Sequence, residues 1–235
     1  MYSTKSLKKL ISLFDEKIAY YMGLTDEELQ DCKLCISKGN RKIGKVMNVS
    51  IPPIITCPNC SGCMKLCYDV KACLQYPGTV VNARVKNWII YKRNSEKFFN
   101  DIRKALKHRR KNKFFRWHVA GDIPDMVYFK AMIEIAKEFP DFVFWTYTKN
   151  YDLVNKYCDE HGKDSIPANL SIMFSEWRGM PMVNPYNFPV FSVVFNDDEI
   201  KPDPKKNHYC PGNCDICLKA HRGCPYSENT FCNEH

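Results

Sequence analysis

The sequence predicts an α/β protein built on a parallel sheet, and three observations carry that expectation. Strand-like and helix-like segments alternate from residue 45 to residue 195. The strand-like segments are nearly continuous apolar runs, the pattern of strands covered on both faces. Polar residues recur where those runs end, which is where parallel α/β folds gather functional groups. Five such strands suit either a doubly wound sheet or an incomplete barrel. Around this core (41–204) the sequence sets a helical arm over 1–40 and a cysteine-rich C-terminal segment over 205–235.

In the arm, Leu10, Ile11, Phe14 and Ile18 share one helical face, and "TDEE" (25–28) is a capping box for a second, short helix. "KGNRKIG" then breaks the pattern at Gly39, Asn40 and Gly44. "KVMNVSIPPIIT" (45–56) is the first extended segment, confined to an edge or a strand end by Pro52 and Pro53. Two helices are expected next, over 80–94 and 95–110. The second takes Ser95 as its N-cap and turns Phe98, Ile102, Ala105 and Leu106 inward. "FFRWHVAGD" (114–122) is a strand ending at a Gly-Asp turn, followed by a helix over 125–139 capped by Asp125. Strands at 142–148, 169–175 and 190–195 and a helix at 151–161 complete the series. No glycine-rich phosphate loop follows any strand.

At 235 residues the chain is one ordinary domain with a small appendage, and its 45% hydrophobic content excludes a disordered chain. The first residues hold only five apolar side chains from Leu7 to Phe14, too few for a secretory signal, and no run approaches a membrane span. A cytoplasmic protein with no membrane partner is expected. The net charge of +9 points weakly to an anionic partner. "KALKHRRKNK" (104–113) offers a phosphate-binding patch for nucleic acid. The plainer reading is a helix end whose cations complement its dipole, because no aromatics interleave the run.

Thirteen cysteines are many for such a chain, and an odd number argues against a disulfide framework. "CPNCSGCMKLCYD" (57–69) and "CPGNCDICLKAHRGC" (210–224) crowd them instead into two clusters. Such spacings put thiolates on tight turns and suit zinc or an iron–sulfur centre. Three cysteines leave one iron of a 4Fe–4S cluster open, whereas four close a site. With only three of its four cysteines as ligands, the first cluster would be the open, catalytic candidate. The second, Cys210, Cys214, Cys217 and Cys224, reads equally as a closed iron–sulfur centre or a zinc knot. One site shared by both clusters is the third geometry. His235 could add a ring nitrogen or its carboxylate, although an unordered chain end is the plainer reading.

The remaining strand-end residues each have a bland reading beside the functional one. His118 reads as a core histidine hydrogen-bonded to a neighbour, alternating with Arg116 and Ala120. Asp122, after Gly121, is the better candidate for a ligand contact, and Lys149 could meet an anionic group or simply face solvent. Thr148, Ser175 and Glu176 lie at the other strand ends.

Taken with "FRWHVAGDIPDMVYF", "FWTYTKNYDLVN" and "IMFSEW", the two cysteine stretches resemble the phage and prophage family known as gene product 88. The likeness covers all but the helical arm. It implies Cys57, Cys63 and Cys67 as the first set and Cys210, Cys214, Cys217 and Cys224 as the second, with Cys60, Cys73 and Cys232 as extras. The family brings no established activity. More broadly the chain is similar to radical S-adenosylmethionine (SAM) enzymes, which implies a partial (βα) barrel with a three-cysteine 4Fe–4S loop after the first strand. That likeness puts Tyr68, Gly121, Asp122 and Ser175 at the cofactor, and Asp122 and Lys149 at the substrate. The usual C-x3-C-x2-C spacing, however, falls at Cys210, Cys214 and Cys217, while the first loop reads C-x5-C-x3-C.

Two functions are therefore expected to compete. One is a radical-SAM-like iron–sulfur enzyme acting on an unknown substrate. The other is a zinc-stabilised nucleic-acid-binding protein without catalysis.

Overall fold

A computed structural model of the chain, describing residues 1–234, gathers eight strands into one sheet. In chain order they are β1 (Ile36–Ser37), β2 (Met47–Val49), β3 (Phe114–Trp117), β4 (Val143–Thr148), β5 (Leu170–Glu176), β6 (Val190–Val194), β7 (His208–Tyr209) and β8 (Thr230–Asn233). Across the sheet the order is β1-β2-β3-β4-β5-β6-β8-β7. The β1–β2 pair is antiparallel and every other pair is parallel. The helices are α1 (Thr4–Met22), α2 (Asp26–Asp31), α3 (Tyr68–Gln75), α4 (Asn82–Arg93), α5 (Ser95–Lys107), α6 (Met126–Glu138), α7 (Tyr151–His161) and α8 (Cys214–Ala220).

The two faces of the sheet are covered differently. Phe115, Trp117, Phe144, Leu170, Ile172 and Phe174 share a core with α1 to α7. Burying each phenylalanine contributes roughly 2–3 kcal/mol. On the other face Trp145 and Met173 pack with Ile43, Val46, Leu218 and Cys224, so the C-terminal segment is the cover there. Residues 144 and 145, or 172 and 173, fall on opposite faces because side chains alternate along a strand. The tail is tied at the amino ends of the strands. Cys214 N–H donates to the Lys42 carbonyl (3.1 Å), Lys45 N–H to Asp215 Oδ1 (3.3 Å), and Ser171 Oγ to the Cys224 carbonyl (2.7 Å). It thus runs from the β8 side of the sheet back to the start of β2.

Several elements differ from the sequence expectation for local reasons. The first extended segment pairs only over Met47–Val49, ahead of its two prolines. Strand β3 stops at Trp117 because His118 turns to a positive φ of 52°. Asn94, not Ser95, caps α5, its side chain accepting from Lys97 N–H at 2.9 Å. In α1 the buried stripe is Leu7, Leu10, Phe14 and Tyr21, leaving Ile11 39% exposed. Nor does α1 stand apart from the core. Tyr21 donates to Asn82 of α4 at 2.8 Å, and Arg93 donates to the Leu24 carbonyl at 2.6 Å. The capping box of α2 forms as expected between Thr25 and Glu28. Among the described residues no helix is long and apolar enough to cross a membrane.

Candidate functional site

The loop carrying Cys57, Cys60, Cys63 and Cys67 is seated across the carboxyl ends of three strands. At β3, Ile51 N–H donates to the Ala120 carbonyl (3.2 Å). Gly121, at φ 83°, lies so close beneath that a Cβ there would stand 2.5 Å from the Ile51 side chain and 2.8 Å from Thr56 Oγ1. At β4, Asn59 Nδ2 donates to the Lys149 carbonyl (2.7 Å). Beyond β5, a Cβ on Gly62 would come within 2.5 Å of the Met180 sulfur.

Within this loop the charges of Cys67 and Cys63 act on Cys57, and that of Cys63 acts on Cys67. Burial is the main influence on the outer two, raising Cys57 strongly and pushing Cys67 up to about 11. The Cys60 sulfur donates to the Ile54 carbonyl (3.6 Å) and the Cys63 sulfur to the Cys60 carbonyl (3.8 Å). The Lys149 ammonium lowers Cys67 and sits 5.6 Å over the Trp177 ring, donating to Ser175 Oγ at 2.7 Å. Asp122 is only 5% exposed and spends both oxygens on backbone amides, Ile123 N–H at 2.7 Å and Lys149 N–H at 2.8 Å. Burial raises its carboxyl group, with the Thr148 hydroxyl and these amides opposing.

The tail forms a second thiol group. Burial first, then Cys210, Cys224 and Cys214, push Cys217 up to about 12, and burial pushes Cys224 to about 11. Cys232 belongs to the same neighbourhood, since Cys210 and Cys224 both act on it. His208 Nε2 lies 3.5 Å from Cys217 Sγ. Gly223, at φ 76°, makes that approach possible, because a Cβ there would stand 2.6 Å from the same Nε2.

The sequence profile of the Gene product 88 family matches residues 27–232, a span running from α2 into β8 and holding both thiol groups. The chain belongs to that family. No curated protein and no solved structure matches it.

For this member of the family the structure sorts the expected site residues. It brings Cys57, Cys63, Cys67, Lys149 and Ser175 together at one edge. It also gathers Cys210, Cys214, Cys217 and Cys224 as a separate group by the amino ends of the strands. Ile51 and Thr56 fill the space above Gly121, and both Asp122 oxygens accept backbone amides at the ends of β3 and β4. Tyr68 is 47% exposed, within electrostatic reach of Cys57, Cys67, Arg84 and Arg116. His118 is a core residue, but its ring packs 5.0 Å from Tyr128 with both nitrogens unpaired. Asp125 caps α6 and also accepts from the Tyr91 hydroxyl. His235 lies outside the described residues.

The sequence analysis gave His208 and Arg116 no role and set Cys232 aside as an extra. His208 had a signal: it precedes Cys210 by two positions, so extended chain presents both to one side. Arg116 had one as well, as a charge inside the apolar run "FFRWHV". The basic run lies at the amino edge of β3. Arg109 donates to the Lys45 carbonyl (2.8 Å), and Lys113 pairs with Asp141 (2.9 Å).

The chemistry of the donors fits a thiolate metal centre at each group. Among the described residues no three His, Cys, Asp or Glu side chains meet as one metal-holding group.

Proposed function

We propose that the chain is an iron–sulfur enzyme, radical-SAM-like, whose first loop holds a 4Fe–4S cluster through Cys57, Cys63 and Cys67. The observation that supports this reading is the seating of that loop across the carboxyl ends of β3 and β4, through the Ile51–Ala120 and Asn59–Lys149 hydrogen bonds, where parallel α/β folds gather functional groups. In this reading the sheet, with helices on one face and the tail on the other, serves as the wall of a partial (βα) barrel. The tail cysteines hold a second, closed centre.

When bound, such a cluster supplies one-electron chemistry at its open iron. The chain's own residues supply the rest. Lys149 sets a positive charge beside the loop and, with Ser175, can orient an anionic group of the ligand there. Asp122 holds the Lys149 backbone, so its part is to position that ammonium rather than to touch substrate. Tyr68 shields the last thiolate from one side. With Gly121 covered, the SAM reading rests on the open iron alone.

Anaerobic purification followed by iron, sulfide and electron paramagnetic resonance measurements tests the proposal. It requires a brown protein with iron and sulfide, whose reduced spectrum changes when SAM is added. A spectrum indifferent to saturating SAM removes the radical mechanism and leaves an iron–sulfur protein. The second reading, a zinc-stabilised nucleic-acid-binding protein, is favoured at the tail by His208, since mixed Cys/His sets are common for zinc. A colourless protein with stoichiometric zinc that binds nucleic acid through 104–113 would establish it instead.

A further inference from the structure

Two cations that form no salt bridge among the described residues, Arg116 and Lys149, lie between the thiol groups, and the Lys149 charge lowers the buried Asp122 carboxyl. Arg116 lies mid-strand in β3, in register with Trp145 of β4. A guanidinium in such a place is costly to desolvate unless acceptors surround it. The ionisable groups that act on it are Tyr147, Tyr68, Cys214 and Cys224, none of them an acid side chain. Its plane lies 4.5 Å over the Tyr147 ring, and its Nε–H is buried with no acceptor. Cys214 can engage one part of the fork, but a guanidinium offers five N–H donors and this one is left open. Lys149, at the end of the adjacent strand, donates to an uncharged acceptor, Ser175, and its charge lowers Cys67 of one group, Cys232 of the other and the Asp122 carboxyl.

We propose that Arg116, assisted by Lys149, binds the oxyanion of a small substrate, a carboxylate or a phosphate, on the tail-covered face between the two cysteine groups. The planar fork of Arg116 suits two oxygens at once, and Lys149 adds a point charge. Exposed Tyr68, within reach of Arg116, stands beside the bound group. The assignment does not depend on which metal either cysteine group holds. Its consequence is orientation: a ligand anchored there presents its other end to the first loop.

The test uses the full chain as purified with its metal, labelled with ¹⁵N. Arginine Nε–Hε signals are followed while phosphate, and separately acetate, is added, and Arg116→Lys identifies the Arg116 signal by its loss. The Arg116 signal should move saturably with at least one anion, and the stronger of the two tells phosphate from carboxylate. By calorimetry, Arg116→Gln should weaken that anion about tenfold or more at unchanged metal content, and Lys149→Ala should weaken it less. A signal unmoved by either anion, or an Arg116→Gln protein that binds both as tightly as the parent, overturns the site. Should Arg116→Gln lose metal, Arg116→Lys decides, since it keeps the charge: metal retained with anion affinity undiminished also overturns it.

Discussion

The two cysteine regions are built on opposite principles. The first loop is seated on a finished sheet, through the Ile51–Ala120 and Asn59–Lys149 hydrogen bonds and the close contacts of Gly121 and Gly62. Under the proposed reading its thiols could lose a metal while the backbone stays where the strand ends put it. The tail has less of its own: Leu218, Cys217, Cys224 and Cys232 form most of its buried apolar surface. In the tail the cysteines are themselves the packing, so under the proposed reading ligand and core would be the same side chains. The difference teaches that a cluster on a scaffold can be read as chemistry, whereas a cluster within a small apolar patch must be read first as structure.

The largest expected effect follows from that contrast. Cys217→Ser should destabilise the tail by on the order of 4 kcal/mol or more, exposing 205–234 to limited proteolysis. Cys63→Ser should leave the protease pattern unchanged. Equal digestion of both variants would erase the distinction.

Next in size is an acid effect outside both regions. Burial, and then the Arg116 charge, lower the His118 imidazole from 6.5 to about 3. A base whose pKa falls on folding stays neutral in the fold while the unfolded chain takes up protons. Stability is therefore full above about pH 6.5 and declines as pH falls toward about 3, by on the order of 3 kcal/mol. Denaturation of the parent and of His118→Asn, which tolerates the positive φ, should show a flatter acid slope in the variant. Parallel slopes would mean that His118 is not held neutral.

Gly121→Ala comes third, at about 2 kcal/mol, because φ is 83° and the new methyl meets Ile51. It should loosen the first loop and spare the tail, visible as faster hydrogen exchange at 51–67 alone. The smallest effect separates two neighbours at the start of α5. Asn94→Ala should cost about 1 kcal/mol and Ser95→Ala less than about 0.5, since Asn94 is the cap.

What the sequence made legible was the order of elements and the two thiol groups. Apolar runs such as "FVFWTYT" and "NLSIMFS" become β4 and β5 within a residue because burial on both faces leaves little choice of conformation. Single backbone torsions were not legible. His118 at φ 52° ends β3 early, and nothing in "RWHVA" marks it. The tail strands His208–Tyr209 and Thr230–Asn233 were hidden too, being short and held by pairing to β6 and to each other rather than by their own pattern. The roles of Gly121 and Asp122 also depended on tertiary contacts. Only the packing of Ile51 and the amide of Lys149 show that one seats the loop and the other braces it.

The central claim is that the first loop carries its own metal centre, separate from the tail. Metal and sulfide counted per chain, in the parent and in the combined Cys57→Ser, Cys63→Ser and Cys67→Ser variant, test it most directly. The account predicts loss of one cluster's worth of iron and sulfide with the tail metal retained and the fold intact. Loss of all metal together, or no change in iron, would contradict it.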